Sequence, residues 1–165
     1  KNTSQVTKEN TANSNTINNI YDTAVDYRQY IFDVSYKNTK LESVNLKDTI
    51  NQKTLVKEKL APGTKGNFAI IITSNESSKY QVIFKSKNEK PQNLVFFVEG
   101  IDKKFSRLED MQENLKGNIK ENETKVIIIN WEWQYENGTK GNNQDTIDAK
   151  KISKYNFDIY VIGNM

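Results

Sequence analysis

Along most of the chain apolar residues return at every second position, the period at which strand side chains point to one face. Tyr30, Phe32, Val34 and Tyr36 alternate with Gln29, Ile31, Asp33 and Ser35. The rhythm recurs at Phe68, Ile70 and Ile72; at Tyr80, Val82 and Phe84; and at Leu94, Phe96 and Val98. It returns at Ile127, Ile129, Trp131, Trp133 and Tyr135, and at Tyr155, Phe157, Ile159 and Val161. These runs predict six strands. Weaker runs at Val44–Ile50 and Leu55–Leu60 predict two more, and Ala61-Pro62-Gly63-Thr64 predicts the turn that follows. Many short strands separated by turns predict an all-β sandwich or barrel, and an antiparallel β-sandwich is the expectation. Its core is expected to include Phe32, Val34, Phe68, Ile70, Ile72, Val82, Phe84, Phe96, Ile127, Ile129, Trp131, Phe157 and Ile159.

Two segments break the rhythm. Ser106 followed by Glu109 has the spacing of a capping box, and Leu108, Met111 and Leu115 then share a helical face. Asp145 and Asp148 can cap a turn or two ending at Lys150 and Lys151, whose charges suit a helix C-terminus. Both are expected to be short crossover helices.

From Lys1 to Asn19 the chain is Asn, Thr, Ser and Lys with isolated apolar residues at Val6 and Ile17. A segment so poor in apolar surface cannot fold on itself. Residues 1–25 are therefore expected to form a polar arm and residues 26–165 the sandwich domain. The arm offers Val6, Ile17 and Ile20 as the side chains that would fill pockets of a neighbouring molecule if it were donated as an extra strand. A free spacer is the alternative.

The 165 residues fit one core. Lys+Arg 24 against Asp+Glu 21 gives a mixed surface with a net charge of +3. Arg28 and Arg107 are the only arginines, which argues against nucleic acid as a partner because phosphate and guanine are gripped by the arginine fork. No apolar run approaches a membrane span, and no charged start leads into an apolar stretch, so an exported form would have lost its signal peptide. The absence of cysteine suits an oxidising extracellular location and a cytosolic one alike.

Without His or Cys the chain has no histidine base, no thiolate nucleophile and no zinc site of ordinary ligand type. Gly63-Thr64-Lys65-Gly66 is too short for a phosphate loop. No cofactor and no conventional catalysis are expected. Glu132 between Trp131 and Trp133 is the remaining place for sugar chemistry, as a glycosidase carboxylate or a polysaccharide platform. Aromatic residues two apart on a strand more often both point into a core, leaving Glu132 in solvent. Asn142, Asn143, Asp145 and Asp148 could supply oxygen ligands to calcium, although an EF-hand spacing is missing and a plain loop with a helix cap explains them.

The chain resembles the TasA and camelysin-like secreted proteins of Firmicutes, including clostridial biofilm fibre subunits of the BsaA type. The resemblance lies in Ala61-Pro62-Gly63-Thr64-Lys65-Gly66-Asn67-Phe68, the polar turn Asn75-Glu76-Ser77, Asn93-Leu94-Val95-Phe96, the run from Ile127 to Gly138 through Trp131-Glu132-Trp133, and the final strand Phe157–Gly163. It implies a jelly-roll-like sandwich, secretion by a Gram-positive bacterium, and self-association into matrix fibres that minor subunits can join. Some members carry a metalloprotease label, which requires paired histidines that this chain lacks. A monomeric adhesin or carbohydrate-binding module is the competing expectation. Fibre subunits could also be cross-linked: a desolvated, neutral Lys1 or Lys8 would attack the carboxamide of Asn164 beside a protonated carboxyl, for which Glu132 is the choice. Ammonia would leave and an isopeptide bond would form.

Overall fold

The computed structural model describes residues 27–35, 37–50 and 59–164. Eight strands run as β1 (Arg28–Val34), β2 (Thr39–Asn45), β3 (Lys65–Ser74), β4 (Ser78–Ser86), β5 (Leu94–Val98), β6 (Lys116–Ile119), β7 (Thr124–Trp133) and β8 (Asn156–Asn164). They form two four-stranded sheets, one ordered β1-β3-β7-β5 and the other β2-β8-β4-β6. Odd strands build the first sheet and even strands the second, so the chain crosses between layers at every described connection. The protein is an all-β sandwich, as its alternation predicts.

Inward residues interlock as one core. Phe68, Ile70 and Ile72 of β3 and Trp131 and Trp133 of β7 face Val82, Phe84, Phe157, Ile159 and Val161 across the layers. Of the expected core residues only Ile127 is partly exposed, and it still packs against the cluster. Phe157 lies at the centre of an aromatic chain, 5.9 Å from Phe68, 5.4 Å from Tyr155 and 6.2 Å from Phe84 between ring centroids. Burial pushes the hydroxyls of Tyr30 and Tyr155 up to about 12, the latter despite its hydrogen bond with Ser86 Oγ.

Two glycines are fixed by close approach. A Cβ on Gly66 would stand 2.1 Å from the Thr49 carbonyl oxygen and 2.9 Å from Trp131, and one on Gly163 would stand 2.0 Å from the Ser35 carbonyl oxygen. Gly66 thereby lets the 3-10 turn Leu46–Thr49 pack directly on β3 beside the Trp131 indole.

The elements depart from expectation in five places. β1 pairs parallel to β3, from Arg28↔Phe68 to Val34↔Ser74, whereas every other ladder is antiparallel. β2 occupies Thr39–Asn45, ahead of the expected Val44–Ile50, because Asn45 Oδ1 accepts from Lys47 N and starts a 3-10 turn. Tyr36 and residues 51–58, with most of the expected strand Leu55–Leu60, lie outside the described residues; Leu60 itself is a buried loop residue. The Ser106/Glu109 capping box does not close. Arg107 heads a 3-10 helix, Leu108–Asn114, and Glu109 accepts instead from Ser86 N and Oγ. The short strand β6 has too little apolar alternation to be seen in sequence, and pairs with β4 through Ser78↔Ile119 to Gln81↔Lys116.

The fifth departure is α1 (Gly138–Lys151), a helix of 14 residues where a turn or two was expected. Asp145 and Asp148 do not cap it. They lie inside it and are buried.

Candidate functional site

The Trp131-Glu132-Trp133 triplet is divided by the pleat of β7. Both indoles are buried in the core, where Trp131 Nε1 donates to Thr49 Oγ1 at 2.7 Å and Trp133 Nε1 to Asp145 Oδ1 at 2.8 Å. Glu132 faces outward and accepts from Lys104 Nζ at 3.2 Å. No sugar can stack on rings enclosed in this way, so the platform reading of these two tryptophans is corrected: period-two aromatics here are core.

Asp145 and Asp148 dock α1. Asp145 also accepts from Asn93 Nδ2 at 3.0 Å and Asn137 Nδ2 at 2.7 Å. Asp148 accepts from Gln92 N at 2.8 Å and Gln144 Nε2 at 3.0 Å. N–H donors thus meet the carboxylates, and Asn142 Oδ1 accepts from Asn137 N. Among the described residues no three acidic side chains gather as a cation site. Beside this network Lys90 Nζ donates to the carbonyls of Pro91, Gln92 and Leu94 at 2.6, 3.2 and 2.6 Å, tying down the turn before β5. Burial pushes its ammonium down to about 8, with the Asp148 charge opposing. Sequence reasoning missed this dock because α1 carries no apolar stripe: Ile147 is exposed, and the seat is polar.

Val6, Ile17, Ile20, Lys1 and Lys8 lie outside the described residues. The other two residues chosen for cross-linking are described and are not brought together. Glu132 is on the outward side of the β1-β3-β7-β5 sheet, and Asn164 is on the outward side of β8, opposite Lys79, with the core between them. The outer strands of the sheets are β1 and β5 on one side and β2 and β6 on the other. β5 is partly covered by a bridge to Phe105, whereas β1 and β2 border no further described strand.

The tryptophan rhythm ends at Tyr135, which lies past the end of β7 and is 77% exposed. With Pro62, Asn142, Thr146 and Lys150 it lines an open groove of about 450 Å³.

No family model matches the chain, and no curated protein matches it. A solved structure similar to it is a mutant of PliG-Ec, a periplasmic inhibitor of g-type lysozyme from Escherichia coli. The two are 8% identical over 83% of this chain and 99% of that one, with a TM-score of 0.33. No helix among the described residues is long and apolar enough to cross a membrane.

Proposed function

We propose that this protein is a secreted, non-catalytic structural subunit of an extracellular surface or biofilm fibre, built by donation of its N-terminal segment as a strand to the next molecule. The observation that carries the reading is the position of β1. It is the first described strand, it follows the polar arm of residues 1–25, and among the described residues it forms an edge of its sheet. An unpaired edge is a template for an added strand, and a polar segment with few anchors gains its backbone hydrogen bonds only by joining such a template.

Negative-stain microscopy tests the proposal. Full-length protein should form fibres, and a chain lacking residues 1–25 should remain folded and dispersed. Dispersed particles from the full-length chain across concentration, salt and pH would overturn the fibre reading, and fibres from the shortened chain would overturn strand donation.

Exposed Tyr135 beside its groove supports a second reading, a glycan-binding surface module. Glycan-array binding that is lost in Tyr135→Ala, with the fold retained, would favour it.

A further inference from the structure

Among the described residues β2 forms an edge of its sheet, and its residues Thr39, Lys40, Leu41, Glu42 and Ser43 are all exposed. The phase of its backbone is set by β8. Leu46 N donates to Tyr155 O beyond one end of the ladder at 2.9 Å, and Gly163 N donates to Asn38 O beyond the other at 2.8 Å. Bonded and non-bonded pairs alternate along an antiparallel ladder, so the even-numbered residues of β2 turn their backbone groups to β8. Thr39, Leu41 and Ser43 turn theirs to the open edge. Thr39 N is held there by Asn38 Oδ1 at 3.0 Å, which leaves Leu41 and Ser43 as the edge donors. Such a row is a template for another strand.

We infer that the partner of this edge is β2 of a second copy of the chain, paired antiparallel about a two-fold axis at Leu41. In that register Leu41 meets Leu41, Thr39 meets Ser43, and Lys40 meets Glu42 twice. The residues whose backbone groups point to the edge are the ones that fall in hydrogen-bonded pairs. Lys40 and Glu42 fall in the non-bonded pairs, where facing side chains stand closer. Among the described residues neither makes an ion pair within its own chain. On the outward side the row Ile83-Tyr160-Leu41 continues across the axis into the same row of the other copy, as one apolar stripe on an eight-stranded sheet.

Charge selects this register. Shifting the pairing by two residues sets Lys40 against Lys40 in one direction and Glu42 against Glu42 in the other. Shifting it by one sets Leu41 opposite a charged residue that faces the other side of the sheet, and puts the edge hydrogen bonds out of phase. The contact is the same patch on both copies, so it closes at two subunits. Strand donation at the β1 edge is open-ended, and the inference stands whether or not fibres form.

Sedimentation velocity of the 165-residue protein across concentration tests it. A dimer should appear, and Lys40→Glu or Glu42→Lys alone should weaken it at least ~10-fold, because each sets like charges together twice. The double variant should restore it, and the two single variants mixed should form the dimer with each other. Monomer up to about 1 mM, near the weak limit of specific association, would overturn the inference. So would a dimer that the single reversals leave unchanged or the double variant does not restore. A second measurement uses the absence of cysteine. Leu41→Cys places two thiols across the axis with Cα atoms about 5.5 Å apart, within disulfide range, whereas Thr39→Cys places them about 14 Å apart. Oxidation to a covalent dimer should be at least ~10-fold faster for Leu41→Cys, and equal rates would overturn the pairing.

Discussion

The two outward sides of the sandwich differ in a way the strands themselves record. β3 reads Phe68-Ala69-Ile70-Ile71-Ile72, apolar at every position, and its outward Ala69 and Ile71 are fully buried. β8 reads Phe157-Asp158-Ile159-Tyr160-Val161-Ile162, and its outward row, Leu41-Tyr160-Ile83, stays open to solvent with Leu41 51% exposed and Lys85 Nζ 5.9 Å from the Tyr160 ring. A continuous apolar run marks a strand covered on both sides, and an interrupted one marks a strand with a wet side. The same fold thus presents one side whose outward apolar row is buried and one whose row meets water.

The largest expected effect lies in the core that both sides share. Trp131→Ala removes a buried indole and leaves Thr49 Oγ1 without its donor, and should cost about 3–5 kcal/mol in denaturant unfolding. A loss below about 1 kcal/mol would mean that the ring is not enclosed.

Next, Ile71→Ala should cost about 2–4 kcal/mol, whereas Leu41→Ala on the opposite side should stay within about 0.5 kcal/mol. Equal costs would erase the distinction between the sides.

Asp145→Ala leaves the buried Trp133 Nε1 without an acceptor and takes one of two acceptors from Asn93 Nδ2 and Asn137 Nδ2, which keep the carbonyls of Gly141 and Gln134, and should cost about 2–3 kcal/mol. Loss of helical signal should accompany it, since the carboxylate rather than an apolar stripe seats α1.

The smallest effect is in pH. Lys90 titrates at about 8 when folded and near 10.5 when unfolded, so between these values the unfolded chain binds more protons and stability rises with pH. Lys90→Met should flatten that rise. Tyr30 and Tyr155 have the opposite sign: their raised pKa of about 12 contributes stability that is intact below pH 10 and lost as pH climbs through 12. Melting curves across pH 7–12 read both slopes.

The fold was legible where burial alone decides structure. Phe68, Ile70, Ile72, Phe157 and Ile159 alternate because one side of each strand meets the core, and they are found there. Polar features were read wrongly for a common reason. Asp145 and Asp148 look like caps or cation ligands because their partners, Asn93 and Gln92, are some 50 residues away in sequence. The parallel β1–β3 ladder was equally hidden, since alternation fixes which side a residue faces and not which strand lies beside it. Of the residues chosen for cross-linking, Glu132 and Asn164 were selected by chemistry alone, and the layers separate them.

Strand donation is tested most directly by supplying the donor in trans. A fluorescent peptide of residues 1–25 should bind saturably, one per subunit, to a chain beginning at residue 26, and should stop fibre growth when added to the 165-residue protein. A Val6→Asp peptide should do neither. Failure of the unaltered peptide to bind, while the full-length chain still polymerises, would contradict donation as the joint between subunits.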